Sequence, residues 1–126
     1  MKERIHTSGA PKALGPYSQA IATEGLLFCS GQGAVDPESG QFIGGDIAEQ
    51  TERTLKNLGA VLEAAELGYE AVVKTTCFLA DMDDFQAFNE VYARFFPEPY
   101  PARSTIQAAR LPLDIAVEIE AIAQRS

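Results

Sequence analysis

Two stretches near the C-terminal end carry the polar residues best placed to act on a small molecule. In Ala102-Arg103-Ser104-Thr105-Ile106-Gln107, the period of two along a strand puts Arg103, Thr105 and Gln107 on one face and Ser104 and Ile106 on the other. In Val117-Glu118-Ile119-Glu120-Ala121-Ile122-Ala123, one face reads Val, Ile, Ala, Ala and suits packing under helices; the other holds Glu118, Glu120 and Ile122. If the two strands share a sheet, Arg103 and a glutamate point into one region, the one facing a neighbouring subunit. A guanidinium can fork a carboxylate, and a glutamate can position water. The same pair can equally be a surface or interface salt bridge of little energetic value. Pro101 and the turn from Ala109 to Asp114 suggest a rigid setting, but the pattern alone leaves both readings open.

Other chemistries find less support. Cys29 and Cys77 sit in the apolar, strand-like LLFCSG and TTCFLA and read as reduced core thiols. One histidine, His6, with no CxxC or HxxxH, gives no protein-built zinc site, and no metal is expected. GxGxxG, Walker and GxSxG motifs are absent, and Ser30-Gly31-Gln32-Gly33 reads as a strand end rather than a nucleophile elbow. Gly44-Gly45-Asp46 reads as a turn and N-cap before it reads as a phosphate cradle. A formal charge of −8, with ten scattered basic residues, argues against nucleic acid as a partner. An acidic chain that binds a small anion needs a locally placed cation. No run approaches the ~20 apolar residues of a membrane span, and MKERIHTSGAPK lacks an apolar leader core, so a cytoplasmic protein without membrane partners is expected.

The elements that must position these residues follow from periodicity. A helix is expected from about Asp46 to Ala65, with Asp46 and Glu49 as a capping box. Its stripe is Ile47, Thr51, Leu55, Leu58, Leu62 and Ala65, and Gly68 is its stop. A second helix runs from about Asp83 to Phe96, capped by Asp83 with Gln86, striped by Phe85, Phe88, Tyr92 and Phe95, and ended by Pro97. Strands are expected at Arg4–His6, Ser18–Thr23, Leu26–Ser30, Val72–Leu79, Arg103–Ala108 and Ile115–Ala123, with Glu24-Gly25 as a hairpin turn. The outcome is one α+β domain over residues 1–126: a two-layer sandwich of a mostly antiparallel six-stranded sheet with two helices on one face. Leu26, Leu27, Phe28 and Cys29 run consecutively, and Val73, Cys77 and Leu79 oppose Val72 and Phe78, so the sheet is apolar on both faces. Two helices cover one face. The other should be buried against another copy of the chain.

The segment from Tyr100 to Pro112 (YPARSTIQAARLP), followed by Ile119-Glu-Ala-Ile-Ala123, closely resembles the C-terminal signature of the Rid (RidA/YjgF) family. Gly15-Pro16-Tyr17-Ser18-Gln19-Ala20 resembles its N-terminal motif, and Ser30-Gly31-Gln32, Val73-Lys74-Thr75-Thr76 and Phe88-Asn89-x-x-Tyr92 fall in order between them. The resemblance covers nearly the whole chain. It implies the chorismate-mutase-like sandwich, assembled as a homotrimer with active sites in clefts between subunits. It implies a 2-iminobutanoate/2-iminopropanoate deaminase that hydrolyses reactive 2-enamino or 2-imino acids, such as 2-aminoacrylate and 2-iminobutyrate, to 2-keto acids and ammonia without a cofactor. By position, Arg103 matches the arginine that grips the substrate carboxylate and Glu118 the glutamate of the hydrolytic water. Tyr17, Gly31 and Asn89 match cleft-lining residues. Thr105 stands where many members have cysteine, which leaves a thiol no role there. A non-catalytic trimer binding small carboxylates or proteins is the alternative, and a ribonuclease or translation inhibitor is a further label attached to some relatives.

Overall fold

The computed structural model describes all residues, 1–126. Six strands, β1 (Glu3–Ile5), β2 (Ala20–Ala22), β3 (Leu26–Gln32), β4 (Val72–Leu79), β5 (Ala102–Gln107) and β6 (Val117–Gln124), form one sheet in the order β1-β2-β3-β6-β4-β5. Every pairing is antiparallel except β4 with β5, which are parallel. The helices α1 (Ile47–Ala64) and α2 (Phe85–Phe95) supply the second layer. The α+β expectation therefore holds, with six strands and two helices. No helix is long and apolar enough to cross a membrane.

Local chemistry sets the helix ends. Asp46 accepts from the Glu49 amide at 2.9 Å and Glu49 accepts from the Asp46 amide at 3.1 Å, the reciprocal pair expected. Gly68 is not the stop. The chain leaves α1 through Glu66 at φ 62°, with Glu66 N–H donating to Glu63 and Leu67 N–H to Leu62, a Schellman closure built on a glutamate. The expected Asp83 cap of α2 is also displaced: a single 3₁₀ turn at Met82–Asp84 precedes the helix, and Asp81 caps that turn by accepting from the Asp83 amide. Asp84 at the true N-cap makes no side-chain capping bond. Three carboxylates in four residues let the polar start slide, because each can satisfy an orphan N–H.

Leu55, Leu58, Val61 and Leu62 of α1 and Phe88 of α2 pack against Leu27, Cys77, Leu79, Val117 and Ile119, all essentially inaccessible. The opposite face keeps Leu26, Phe28, Val73 and Ile106 between 37% and 52% exposed. Val73 was expected beside Cys77 and Leu79. A register shift between Val72 and Lys74 instead puts Val72 under the helices and Val73 outside.

Candidate active site

Arg103 pairs in parallel register with Thr75, and Thr105 with Cys77. Thr75 and Cys77 are fully buried beneath the helices, so Arg103, Thr105 and Gln107 share the helix-side face as their period requires. There the Arg103 guanidinium carbon lies 4.7 Å from the Tyr92 ring centre, 5.5 Å from Phe85 and 5.7 Å from Phe88. The stripe of α2 that forms the core thus also forms a π surface for a cation, an interaction worth about 0.5–2 kcal/mol. Tyr92 is fixed by a 2.7 Å hydrogen bond between its hydroxyl and that of Thr75. Arg103 is half-buried and has no ion pair and no side-chain hydrogen bond; the chain's two ion pairs are Lys56–Glu52 and Arg110–Asp114. Its five donors are therefore uncommitted. It lines a cavity of about 430 Å³ with Asn89, Tyr92, Ala93, Tyr100 and Pro101. The Asn89 Oδ1 and Thr105 Oγ1 atoms are buried with no hydrogen-bond partner, a costly state for polar atoms.

Glu118 stands elsewhere. Its neighbours Val117 and Ile119 face the helices, so Glu118 points out of the opposite face, across from Phe78. Its carboxylate lies over Gly31, where a Cβ would meet Glu118 Cδ at 2.9 Å and Cγ at 3.0 Å. Gly31 also falls within the register shift between Cys29 and Gln32, so the bulge and the close approach coincide. Burial first, and then the like charge of Glu120, raises the Glu118 pKa above the usual carboxylate range. Glu118 lines a second cavity, about 280 Å³, with Tyr17, Gly31, Pro112, Leu113 and Ile115 among its walls. Tyr17 is 56% exposed.

The expectation that Arg103 and a glutamate point into one region of the same chain is therefore corrected. The sheet separates them: Arg103, Asn89 and Thr105 lie on the helix side, and Glu118, Gly31 and Tyr17 line the other cavity. The sequence pattern gave the alternation on each strand but not the relative phase of two strands joined through β4.

From the sequence, Phe85 has only a packing place, Phe88 and Tyr92 a packing place and a motif, and Tyr100 a motif, with no site role for any of the four. The available signal was an aromatic run at helical spacing preceding the strand that carries an arginine. Gln19 likewise stands in the sequence only as part of the Gly15–Ala20 motif. It is buried and ties the N-terminal segment down by accepting from the Thr7 amide and donating to Pro11 O at 2.8 Å, which sets the path toward Tyr17. Cys29 and Cys77 are free and buried, and burial pushes their thiols up to about 12 and about 11, so neither is a nucleophile near neutrality. His6 is exposed and lines neither cavity.

A family model described as Endoribonuclease L-PSP matches residues 7–125. Reactive Intermediate Deaminase A, chloroplastic, of Arabidopsis thaliana is 52% identical over 97% of this chain; the chain spans 65% of that protein's length. The chain belongs to the Rid family. The human 2-iminobutanoate/2-iminopropanoate deaminase is 46% identical over 94% of this Rid chain and 87% of its own. Among solved structures, E. coli TdcF with bound serine is 44% identical with a TM-score of 0.93, covering 98% of this Rid chain and 99% of TdcF.

Proposed function

We propose that this Rid protein is a 2-iminobutanoate/2-iminopropanoate deaminase whose site forms where the Arg103 cavity of one copy meets the Glu118 cavity of the next. The deaminase activity follows from relatives of that name at about half identity over most of the chain. The observation that carries the site is the free Arg103 guanidinium, half-buried on three aromatic rings in a cavity, with no carboxylate of its own chain to neutralise it. A desolvated, unpaired cation is costly unless a ligand anion completes it. The serine bound to TdcF is an α-carboxylate of the right size class.

In this reading the carboxylate of a 2-imino acid takes the Arg103 fork, with Asn89 and Tyr100 beside it, while Thr105 and the backbone around Gly31 orient the nitrogen end. Glu118 from the neighbouring copy holds a water molecule, and Tyr17 closes that side. The water oxygen bonds to the imine carbon as the C=N π pair moves onto nitrogen. Glu118 takes the water proton and passes it to nitrogen, giving a carbinolamine. A further proton reaches nitrogen while the new hydroxyl loses one, the C–N bond breaks, and a 2-keto acid and ammonia leave. The raised pKa of Glu118 suits a group that takes and returns a proton, a role typically worth ~10²–10⁴-fold. The steps need water and one carboxylate, with no metal or organic cofactor.

The exposed apolar sheet face supports assembly with other copies, as a homotrimer acting in the cytosol on small imino acids. The single histidine, His6, and the −8 charge weigh against RNA cleavage. The test is keto-acid release from enzymatically generated 2-aminoacrylate with wild type, Arg103→Ala and Glu118→Gln. Acceleration by wild type and its loss in both variants is expected. Equal rates with and without wild-type protein would leave a carboxylate-binding module in its place.

A further inference from the structure

Three residues other than glycine adopt left-handed backbone: Glu66, which closes α1, and the tandem Leu113 (φ 60°) and Asp114 (φ 54°) between β5 and β6. Aspartate tolerates that region because its short side chain can bond locally, and Asp114 does so, accepting from Arg110 Nε at 2.8 Å and Nη2 at 3.2 Å. A leucine does not tolerate it: its Cβ crowds the backbone, and a bulky apolar residue there is an outlier. Burial does not offset the strain, because Leu113 is 63% exposed. The fold thus gains nothing visible from this leucine, yet its side chain lines the Glu118 cavity beside Leu14, Tyr17, Pro112 and Ile115. Strain of this kind persists where the surroundings over-determine it, commonly at functional sites.

We propose that Leu113 is the specificity-determining residue for the substrate side chain. It presents the apolar surface against which the β- and γ-carbons of a 2-imino acid pack, on a turn spanned by the exposed Arg110–Asp114 pair. The inference rests on the deaminase reading and names the side-chain class that site selects. Imino acids with apolar chains of two or more carbons gain from Leu113. 2-Iminopropanoate, with one methyl group, gains little. 2-Iminoglutarate is disfavoured, because its second carboxylate would face Leu113 and Glu118 together.

The test compares kcat/KM of wild type, Leu113→Asn and Leu113→Gly on 2-iminopropanoate, 2-iminobutanoate and the imine of leucine, each made in situ by an amino-acid oxidase. Both replacements accept left-handed backbone, so the fold is kept. The ratio of leucine imine to 2-iminopropanoate should fall about tenfold or more in both variants, the scale of losing one or two methylene contacts. Their melting temperatures should equal or exceed that of wild type. An unchanged ratio in active variants overturns this inference alone. A lower melting temperature, or a smaller assembly by light scattering, assigns Leu113 to the fold or to a subunit contact and overturns it too. A wild type that hydrolyses none of the imines overturns the deaminase reading, and this inference with it.

Discussion

An Arg103→Ala chain keeps its Glu118, and a Glu118→Gln chain keeps its Arg103. Within one chain these groups lie on opposite faces of the sheet, so each site of the composite kind proposed above draws one from each of two copies. Either variant alone places a defect in every site. Losing the bidentate carboxylate contact removes charge-assisted hydrogen bonds worth about 1.5–3 kcal/mol each, enough to cut kcat/KM by about 100-fold or more. Losing Glu118 costs ~10²–10⁴-fold. When the two are dissociated together and allowed to reassemble in equal amounts, a site is intact only if its arginine comes from the Glu118→Gln chain and its glutamate from the Arg103→Ala chain. Each condition is met half the time, so about a quarter of sites recover in any closed ring of identical contacts. Keto-acid release from the mixture should approach one quarter of the wild-type rate, more than tenfold above either parent. Native mass spectrometry of differently tagged chains confirms the mixing. Fully mixed assemblies with no recovered activity would show that both groups act within one chain, or that one of them does not act at all, and the composite site would be refuted.

Other outcomes follow from named contacts. With Glu118 as the proposed base, it must be ionised to accept a proton, and its pKa is raised by burial and by Glu120, so kcat/KM should fall on acidification at a higher pH than for an ordinary carboxylate; Glu120→Gln should move that limb to lower pH. The linked stability runs the other way: the fold disfavours the ionised form, so Glu118→Gln should melt higher than wild type near neutrality and lose the advantage as pH drops and Glu118 protonates. Gly31→Ala would bring a Cβ against the Glu118 carboxyl group, and a displacement near 1 Å costs about 10²-fold in turnover, measurable while circular dichroism stays native. Asn57 is fully buried and donates to Gly33 O at 3.1 Å and Val35 O at 2.8 Å; Asn57→Leu should cost about 2–4 kcal/mol in urea unfolding by orphaning those carbonyls. Glu66→Gly should add about 1 kcal/mol, because glycine takes the left-handed closing position of α1 without Cβ strain.

The helices and the alternation of each strand were legible because they rest on near-neighbour periodicity. The capping box at Asp46 and the boundaries of β4 are of that kind, and so is the buried face of Val117, Ile119, Ala121 and Ala123. What failed needed information from across the sheet. Val73 changed face because β4 gains an extra residue opposite β6, which no alternation of its own residues records. Arg103 and Glu118 parted because β5 joins the sheet through β4, so their phase depends on two registers at once. The stop at Glu66 eluded a rule that looks for glycine, since a Schellman closure fixes the position by hydrogen bonding and lets a tolerated side chain occupy it. The individual site residues carried a family motif, but the π surface beneath Arg103 looked like ordinary core spacing until the strand was laid against the helix.

Arg103 rests its charge on ring faces instead of an acidic side chain, so an anion arriving there as proposed breaks no existing ion pair. A seat of that kind reads only the two oxygens presented to it. In the proposed reaction the 2-keto acid formed offers the same two oxygens as the imine consumed, and so do acetate and other simple monocarboxylates. On the proposed reading, accumulated product therefore competes with the imine for the Arg103 guanidinium, and turnover should slow as keto acid builds up.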